Sequence, residues 1–287
     1  MTPSDRVAVI SEIGRILAQE NWPLVDLTLR QFGRPTTNGW EGDKMSYVMW
    51  MIDDATDEQL SGLAAHLHIS LPAGAERVAD LPFWEPEHFR LFVSHVCTCK
   101  LLAEDTKTSL RDYRISAFVA HSDIEPTREW LEQIEGALAT ANALLAMLMS
   151  DFHDSLWTDQ EVGVALGRPI PVIPLRLGRD PYGLFGKFQG LPGNGRTADA
   201  IARSVAEALA RNPMTSRRMA FSLVGALAGS RSFEASKRVM ALLEDAAYLD
   251  AELAAKMRDS IAANSQVRSA YGVPERIGAL ITRRGLE

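Results

Sequence analysis

Four short, predominantly apolar runs constrain this chain more than any other feature: residues 89–94, 115–119, 143–149 and 170–175. None alternates polar with apolar, so each reads as a strand covered on both faces, the environment of a parallel sheet wound with helices. Stretches of helical period separate them at 100–111, 127–140 and 156–166, the spacing of successive βα units. A fifth strand is expected near residues 186–191, where glycines and the bounding Pro181 and Pro192 keep the signal weak. Right-handed crossovers put the loops that follow the strands on one edge, where open sheets bind ligands at the point of strand-order reversal.

The flanks are helical. Val7, Ile10, Ile13, Ile16 and Leu17 form one apolar stripe, and Leu24, Leu27, Leu29 and Phe32 a second that Gly33 and Pro35 end. Two more helices are expected over 44–53 and 57–67, the latter with Leu60, Leu63, Ala64 and Leu67 on one face. Residues 1–70 therefore read as an all-helical module of about four helices. Pro72, Gly74, Pro82 and Pro86 make 71–87 a linker. The α/β segment then runs over 88–211, closed by a helix at 198–210. Residues 212–287 form a C-terminal helical region with breaks at Asn212-Pro213, Gly229-Ser230, Leu249-Asp250 and Val273-Pro274.

Composition narrows the function classes. At 287 residues, 46% hydrophobic and 23% charged, the chain is ordinary globular protein and long enough for one large domain or two modest ones. No apolar run approaches the ~20 residues of a membrane helix, and the polar start from Met1 to Arg6 does not read as a signal peptide. A cytoplasmic protein with no membrane partner is expected. The net charge of −7 argues against polyanion binding. Residues 196–287 hold 14 Lys/Arg against 10 Asp/Glu, so the first 195 residues carry −11. That basic excess is unclustered, and nucleic acid is not an expected partner. Cys97 and Cys99 lack further ligands at metal-binding spacing and read as reduced thiols, with no metal expected.

Motifs with chemical content lie in the middle segment. Phe89-Arg90-Leu91-Phe92-Val93-Ser94-His95 ends the first strand in a Ser-His pair. Ile115-Ser116-Ala117-Phe118-Val119-Ala120 leads into the loop His121-Ser122-Asp123-Ile124-Glu125-Pro126 and on to Trp130. Ser155-Leu156-Trp157-Thr158-Asp159-Gln160-Glu161-Val162-Gly163 follows the third strand, and Pro171-Val172-Ile173-Pro174-Leu175 is the fourth. In this order the motifs resemble the Toll/interleukin-1 receptor (TIR) domain, above all its bacterial members, over roughly 110 residues. The resemblance implies a flavodoxin-like, five-stranded parallel sheet. For many bacterial members it also implies cleavage of the nicotinamide-ribose bond of NAD, by hydrolysis or cyclisation, with NAD as substrate and no resident cofactor.

By the same resemblance Glu161 falls at the catalytic glutamate and Trp157 at its accompanying aromatic. Ser94 and His95 are candidate substrate-binding residues because they end the first strand on the ligand-binding edge, where the following loop offers backbone donors to phosphates or the nicotinamide amide. Trp157 is a candidate to stack on a ring, and the resemblance places Ile124 in a loop that gates the site and forms assembly contacts. The resemblance further implies activation by self-assembly into a homo-oligomer through the TIR segment and the helical flanks. An upstream sensor protein and a role in prokaryotic anti-phage or stress immunity belong to the same expectation. The N-terminal module, with Trp22, Trp40, Tyr47 and Trp50, is loosely similar to small helical adaptor domains of prokaryotic immune proteins. Other TIR proteins act only as non-catalytic adaptors, so membership leaves enzyme and scaffold both open.

The residues themselves allow the chemistry. Nicotinamide leaves neutral from a cationic pyridinium, so one carboxylate suffices where ordinary glycosidases need two. It would stabilise the positive charge growing on the ribose. Trp157 and Glu161 are four residues apart and share a helical face. Against this, Thr158-Asp159-Gln160-Glu161 also fits a capping box, with Glu161 reaching back to the Thr158 amide. Trp157, Trp130 and His95 equally suit structural roles, and the cysteines suit buried small hydrophobes.

Overall fold

The computed structural model describes residues 3–37, 39–67, 69, 83–119, 128–168 and 170–286. The contacts divide the chain into two compact units, Met1–Ala79 and Asp80–Glu287.

In the first unit four helices enclose their own core: α1 (Pro3–Leu17), α2 (Trp22–Gln31), α3 (Lys44–Ile52) and α4 (Asp57–His66). Each helix start after the first is fixed by a side chain that takes up an otherwise unsatisfied N–H. Asn21 accepts from the Leu24 amide and Asp43 from the Ser46 amide. Thr56 and Gln59 form a reciprocal capping box. Ile13, Leu17, Leu29, Ile52, Leu60 and Leu63 fill the interior with Tyr47, whose hydroxyl donates to Asp26 at 2.7 Å and accepts from the Thr37 amide. Trp22 and Trp50, by contrast, are 41% and 64% exposed.

The second unit is built on a parallel sheet of β1 (Phe89–Ser94), β2 (Ile115–Val119), β3 (Ala143–Leu148), β4 (Val172–Arg176) and β5 (Leu191–Pro192), in the order β2-β1-β3-β4-β5. This is the flavodoxin-like order, with its reversal between β1 and β3. Every residue of β3 is buried, as the unbroken apolar run requires of a central strand covered on both faces. The intervening helices are α5 (Lys100–Leu110), α6 (Arg128–Thr140) and α7 (Thr158–Leu166).

Three boundaries differ from the sequence expectation by two residues or more. β5 is two residues long, centred later than 186–191, because the chain first turns through Gly183–Phe185 and Pro192 has no N–H to extend the ladder. It pairs only as Leu175 with Leu191 and Arg176 with Pro192. β4 starts at Val172 rather than at 170, just after Pro171. α7 starts at Thr158 rather than at 156, leaving Leu156 exposed.

Six helices follow: α8 (Ala198–Arg211), α9 (Ser216–Ala228), α10 (Phe233–Asp245), α11 (Ala251–Ala263), α12 (Ser265–Arg268) and α13 (Val273–Arg283). Four of the five breaks fall at the Asn-Pro, Gly-Ser, Leu-Asp and Val-Pro pairs that mark them in the sequence, and the fifth, at Asn264 between α11 and α12, carries no such pair. Ser232, Asp250 and Asn264 cap α10, α11 and α12. Met219, Leu223, Met240, Leu243 and Ile277 belong to the same continuous core as Phe89, Leu91 and Leu145. The sheet and the last six helices therefore share one interior. No helix among the described residues is long and apolar enough to cross a membrane.

Candidate functional site

The site forms where the strand order reverses. Ser94 is the last residue of β1 and pairs in register with Ala146 of β3. α7 follows β3, and its fourth residue, Glu161, turns inward over the end of β1. The Ser94 hydroxyl donates to Glu161 Oε2 at 2.5 Å across 67 residues of sequence, with Ser94 at 0% and Glu161 at 5% exposure. Among the described residues this is the side-chain hydrogen bond that Glu161 makes. The length is that of a charge-assisted O–H···O⁻ contact.

Burial, with no cationic partner among the described residues, determines the electrostatics. Loss of water around the carboxylate pushes Glu161 up to about 7, and the Ser94 hydroxyl, which favours the charged form, offsets part of that rise. A carboxyl poised near neutrality at a ligand-binding edge is the kind of perturbed group that marks functional sites.

The capping-box reading of Glu161 is not what the chain does. Trp157, not Thr158, occupies the N-cap position, and it makes no side-chain cap. Thr158 lies inside the helix and donates its hydroxyl to the Phe152 carbonyl at 2.5 Å. The Glu161 side chain is directed to Ser94, 67 residues away, rather than to a helix-end amide.

Trp157 sits one turn before Glu161, and the Glu161 amide donates to the Trp157 carbonyl at 2.9 Å. The half-buried indole meets Trp130 of α6 edge to face, with ring centroids 5.6 Å apart and planes at 87°. Such a pair holds the indole beside the carboxylate. His95, 6% exposed, directly follows Ser94. Ile124 and Asp123 lie outside the described residues. Across the crevice, Thr98 in the turn after β1 donates to Asp151 in the turn after β3 at 3.0 Å, tying together the two loops that frame Ser94 and Glu161. Of the cysteines in that turn, Cys97 is exposed, unlike the buried role expected for it. Cys99 is buried, and burial pushes its thiol up to about 11. No group of three or more metal-ligating side chains occurs among the described residues.

Residues 91–211 match the family model described as the TIR domain. This segment of the chain is a TIR domain. No curated protein and no solved structure matches the chain.

Within the TIR domain the structure also brings together residues that the motifs do not single out. Asp159 of α7 accepts from the Tyr182 hydroxyl at 2.5 Å through one oxygen and contacts His153 Nδ1 at 2.5 Å through the other. Burial, then the bond to Asp159, raises the Tyr182 hydroxyl above its ordinary range. The Arg179 guanidinium lies 4.8 Å from the Tyr182 ring centroid. Asp159 was visible inside the Trp-to-Glu segment. Tyr182 and Arg179 lie in the glycine-rich stretch after β4, where the available signal was arginines interleaved with glycines rather than a strand.

Proposed function

We propose that this TIR domain cleaves the nicotinamide-ribose bond of NAD, with Glu161 as the catalytic carboxylate, in a self-assembling effector of prokaryotic immunity. The observation that carries the reading is the buried Ser94–Glu161 pair at the strand-order reversal. A carboxylate there has no helix end to cap and no cationic partner among the described residues, so its burial is a cost the fold bears without structural return.

The chemistry follows from that state. The nicotinamide ring of the substrate is a cationic pyridinium, and its arrival beside Glu161 favours the ionised carboxylate. As the C–N glycosidic bond lengthens, the bonding pair leaves with neutral nicotinamide and positive charge spreads over the ribose. Glu161, dehydrated and held by Ser94, stabilises that charge and accepts hydrogen bonds from the ribose hydroxyls. The indole of Trp157 walls the same space and offers a flat face to a ring. Water then adds to the sugar carbon, or an adenine nitrogen does so to close a ring.

The pH dependence tests this reading. Only ionised Glu161 is active, so kcat/KM for nicotinamide release by the full chain is expected to rise through about pH 7 and level off above it. The limb in kcat should lie at lower pH, because the bound cation favours ionisation. Ser94→Ala removes the bond that favours the charged form and should move the kcat/KM limb to higher pH. Absence of release at every pH, at protein concentrations and crowding that promote assembly, would instead indicate a non-catalytic adaptor.

A further inference from the structure

A cleft of about 380 Å³ opens at the carboxyl ends of β4 and β5, lined by Arg176, Gly178, Arg179, Asp180, Gly193 and Asn194 among others. Two arginines face one carboxylate there, in a chain whose net charge is −7. Arg176 Nη1 lies 3.3 Å from Asp180, with the two side chains 46% and 81% exposed. An ion pair that exposed is worth little and yields readily to a stronger anion.

The floor of the cleft is backbone. The Gly193 and Asn194 amides donate to the Arg176 carbonyl at 2.9 and 3.1 Å. A Cβ at Gly193 would stand 2.9 Å from that same carbonyl oxygen, so this close approach requires glycine. Gly178, at φ +140°, adopts a conformation that side-chain-bearing residues rarely reach.

The arginine wall is also fixed relative to the proposed catalytic helix. The Leu177 and Arg179 amides both donate to the Leu148 carbonyl at the end of β3, at 3.0 and 3.1 Å. Arg179 Nη1 donates to the Ser150 carbonyl at 3.1 Å. Tyr182, under the Arg179 guanidinium, is bonded to Asp159 on α7, two residues from Glu161. A guanidinium held by its neighbours loses little freedom on binding, and its planar fork matches phosphate oxygens. The cleft lies on the same sheet edge as Ser94, two to three strand spacings away at roughly 5 Å each.

We propose that this cleft is a phosphate subsite, in which Arg176 and Arg179 grip a phosphate or diphosphate group of the nucleotide whose glycosidic bond lies at Glu161. The nucleotide's identity rests on the function proposed above, whereas recognition of the anion does not.

Calorimetric titration of ADP, inorganic pyrophosphate and adenosine into the full chain, and into Arg176→Ala and Arg176→Lys, tests it. Arg176 is half exposed at a strand end, so both variants should keep the wild-type melting temperature. ADP is expected to bind the wild type and to weaken at least tenfold in Arg176→Ala. Arg176→Lys should be intermediate, and adenosine should bind wild type and variant alike. Wild type that binds neither ADP nor pyrophosphate, or Arg176→Ala that binds ADP as tightly as wild type, overturns the subsite. Pyrophosphate binding as tightly as ADP keeps an anion site but overturns its assignment to a nucleotide. Nicotinamide release measured in parallel separates the two claims. ADP binding without release keeps the subsite and defeats the glycosidic reading, whereas release with an unchanged KM in Arg176→Ala does the reverse.

Discussion

Glu161→Gln is expected to raise the melting temperature of the full chain, and by more the higher the pH. Burial holds Glu161 at about 7 when folded, against an ordinary value of 4.5. Between those values the folded chain binds the proton more tightly than the unfolded chain does. Stability from this group is therefore complete below about 4.5 and is lost as pH rises through about 7. Above that, the fold carries a dehydrated negative charge whose cost is on the order of 3 kcal/mol. Glutamine has the same shape, can still accept from Ser94, and never ionises. Wild type and variant should melt alike near pH 4, with the variant several degrees higher at pH 8. Thermal unfolding followed by circular dichroism across that range measures the difference, and a gap that does not change with pH would contradict the buried, near-neutral carboxyl. A carboxylate that destabilises its own fold at the pH of its proposed activity fits the trade of stability for activity.

Removing residues 212–287 should abolish cooperative folding of the sheet unit, although the family match ends at residue 211. Met219, Leu223, Leu227, Met240, Leu243 and Ile277 are each at most 1% exposed and belong to one core with the strands. Leaving a side chain of this kind, or its packing partner, in water costs about 1.5–3 kcal/mol. A handful of such losses exceeds the whole stability of a typical domain, about 5–15 kcal/mol. Polar ties cross the same boundary: Arg238 donates to Asp112 at 3.0 Å and the Ala247 amide to the Ala210 carbonyl at 3.0 Å. A fragment of residues 83–211 is expected to be insoluble or to lack a sharp thermal transition, whereas 83–287 should melt cooperatively. A sharp transition in the shorter fragment would show that the last helices are dispensable for the sheet.

What was legible in the sequence follows from how local its cause is. Strands β1, β2 and β3 stand out because two-sided burial forces a predominantly apolar run without alternation, and helix breaks stand out because Asn-Pro or Gly-Ser pairs act on the backbone where they occur. β5 was displaced because its glycines shape a turn and a close approach to Arg176 rather than a pleat, an outcome set by a strand fifteen residues earlier. The type of residue at the site was legible in Ser94, Trp157 and Glu161, but their relation was not. Local spacing pointed equally to a helix cap, and only the crossover from β1 to β3 brings Ser94 to Glu161 across 67 positions. The arginine cleft was hidden for the same reason, since its walls come from two strand ends and its fixing from a third. The shared core of sheet and C-terminal helices is likewise non-local: composition and charge set residues 212–287 apart, while packing joins them to the sheet.

The central claim is that Glu161 drives cleavage of the nicotinamide-ribose bond. Its most direct measurement is nicotinamide release from NAD at pH 8 by concentrated full-length protein with a crowding agent, compared with Glu161→Gln under identical conditions and with folding verified by melting. The account predicts release by the wild type and at least about a hundredfold less by the variant, the scale of losing a transition-state electrostatic contact. Equal release by the two proteins would contradict it.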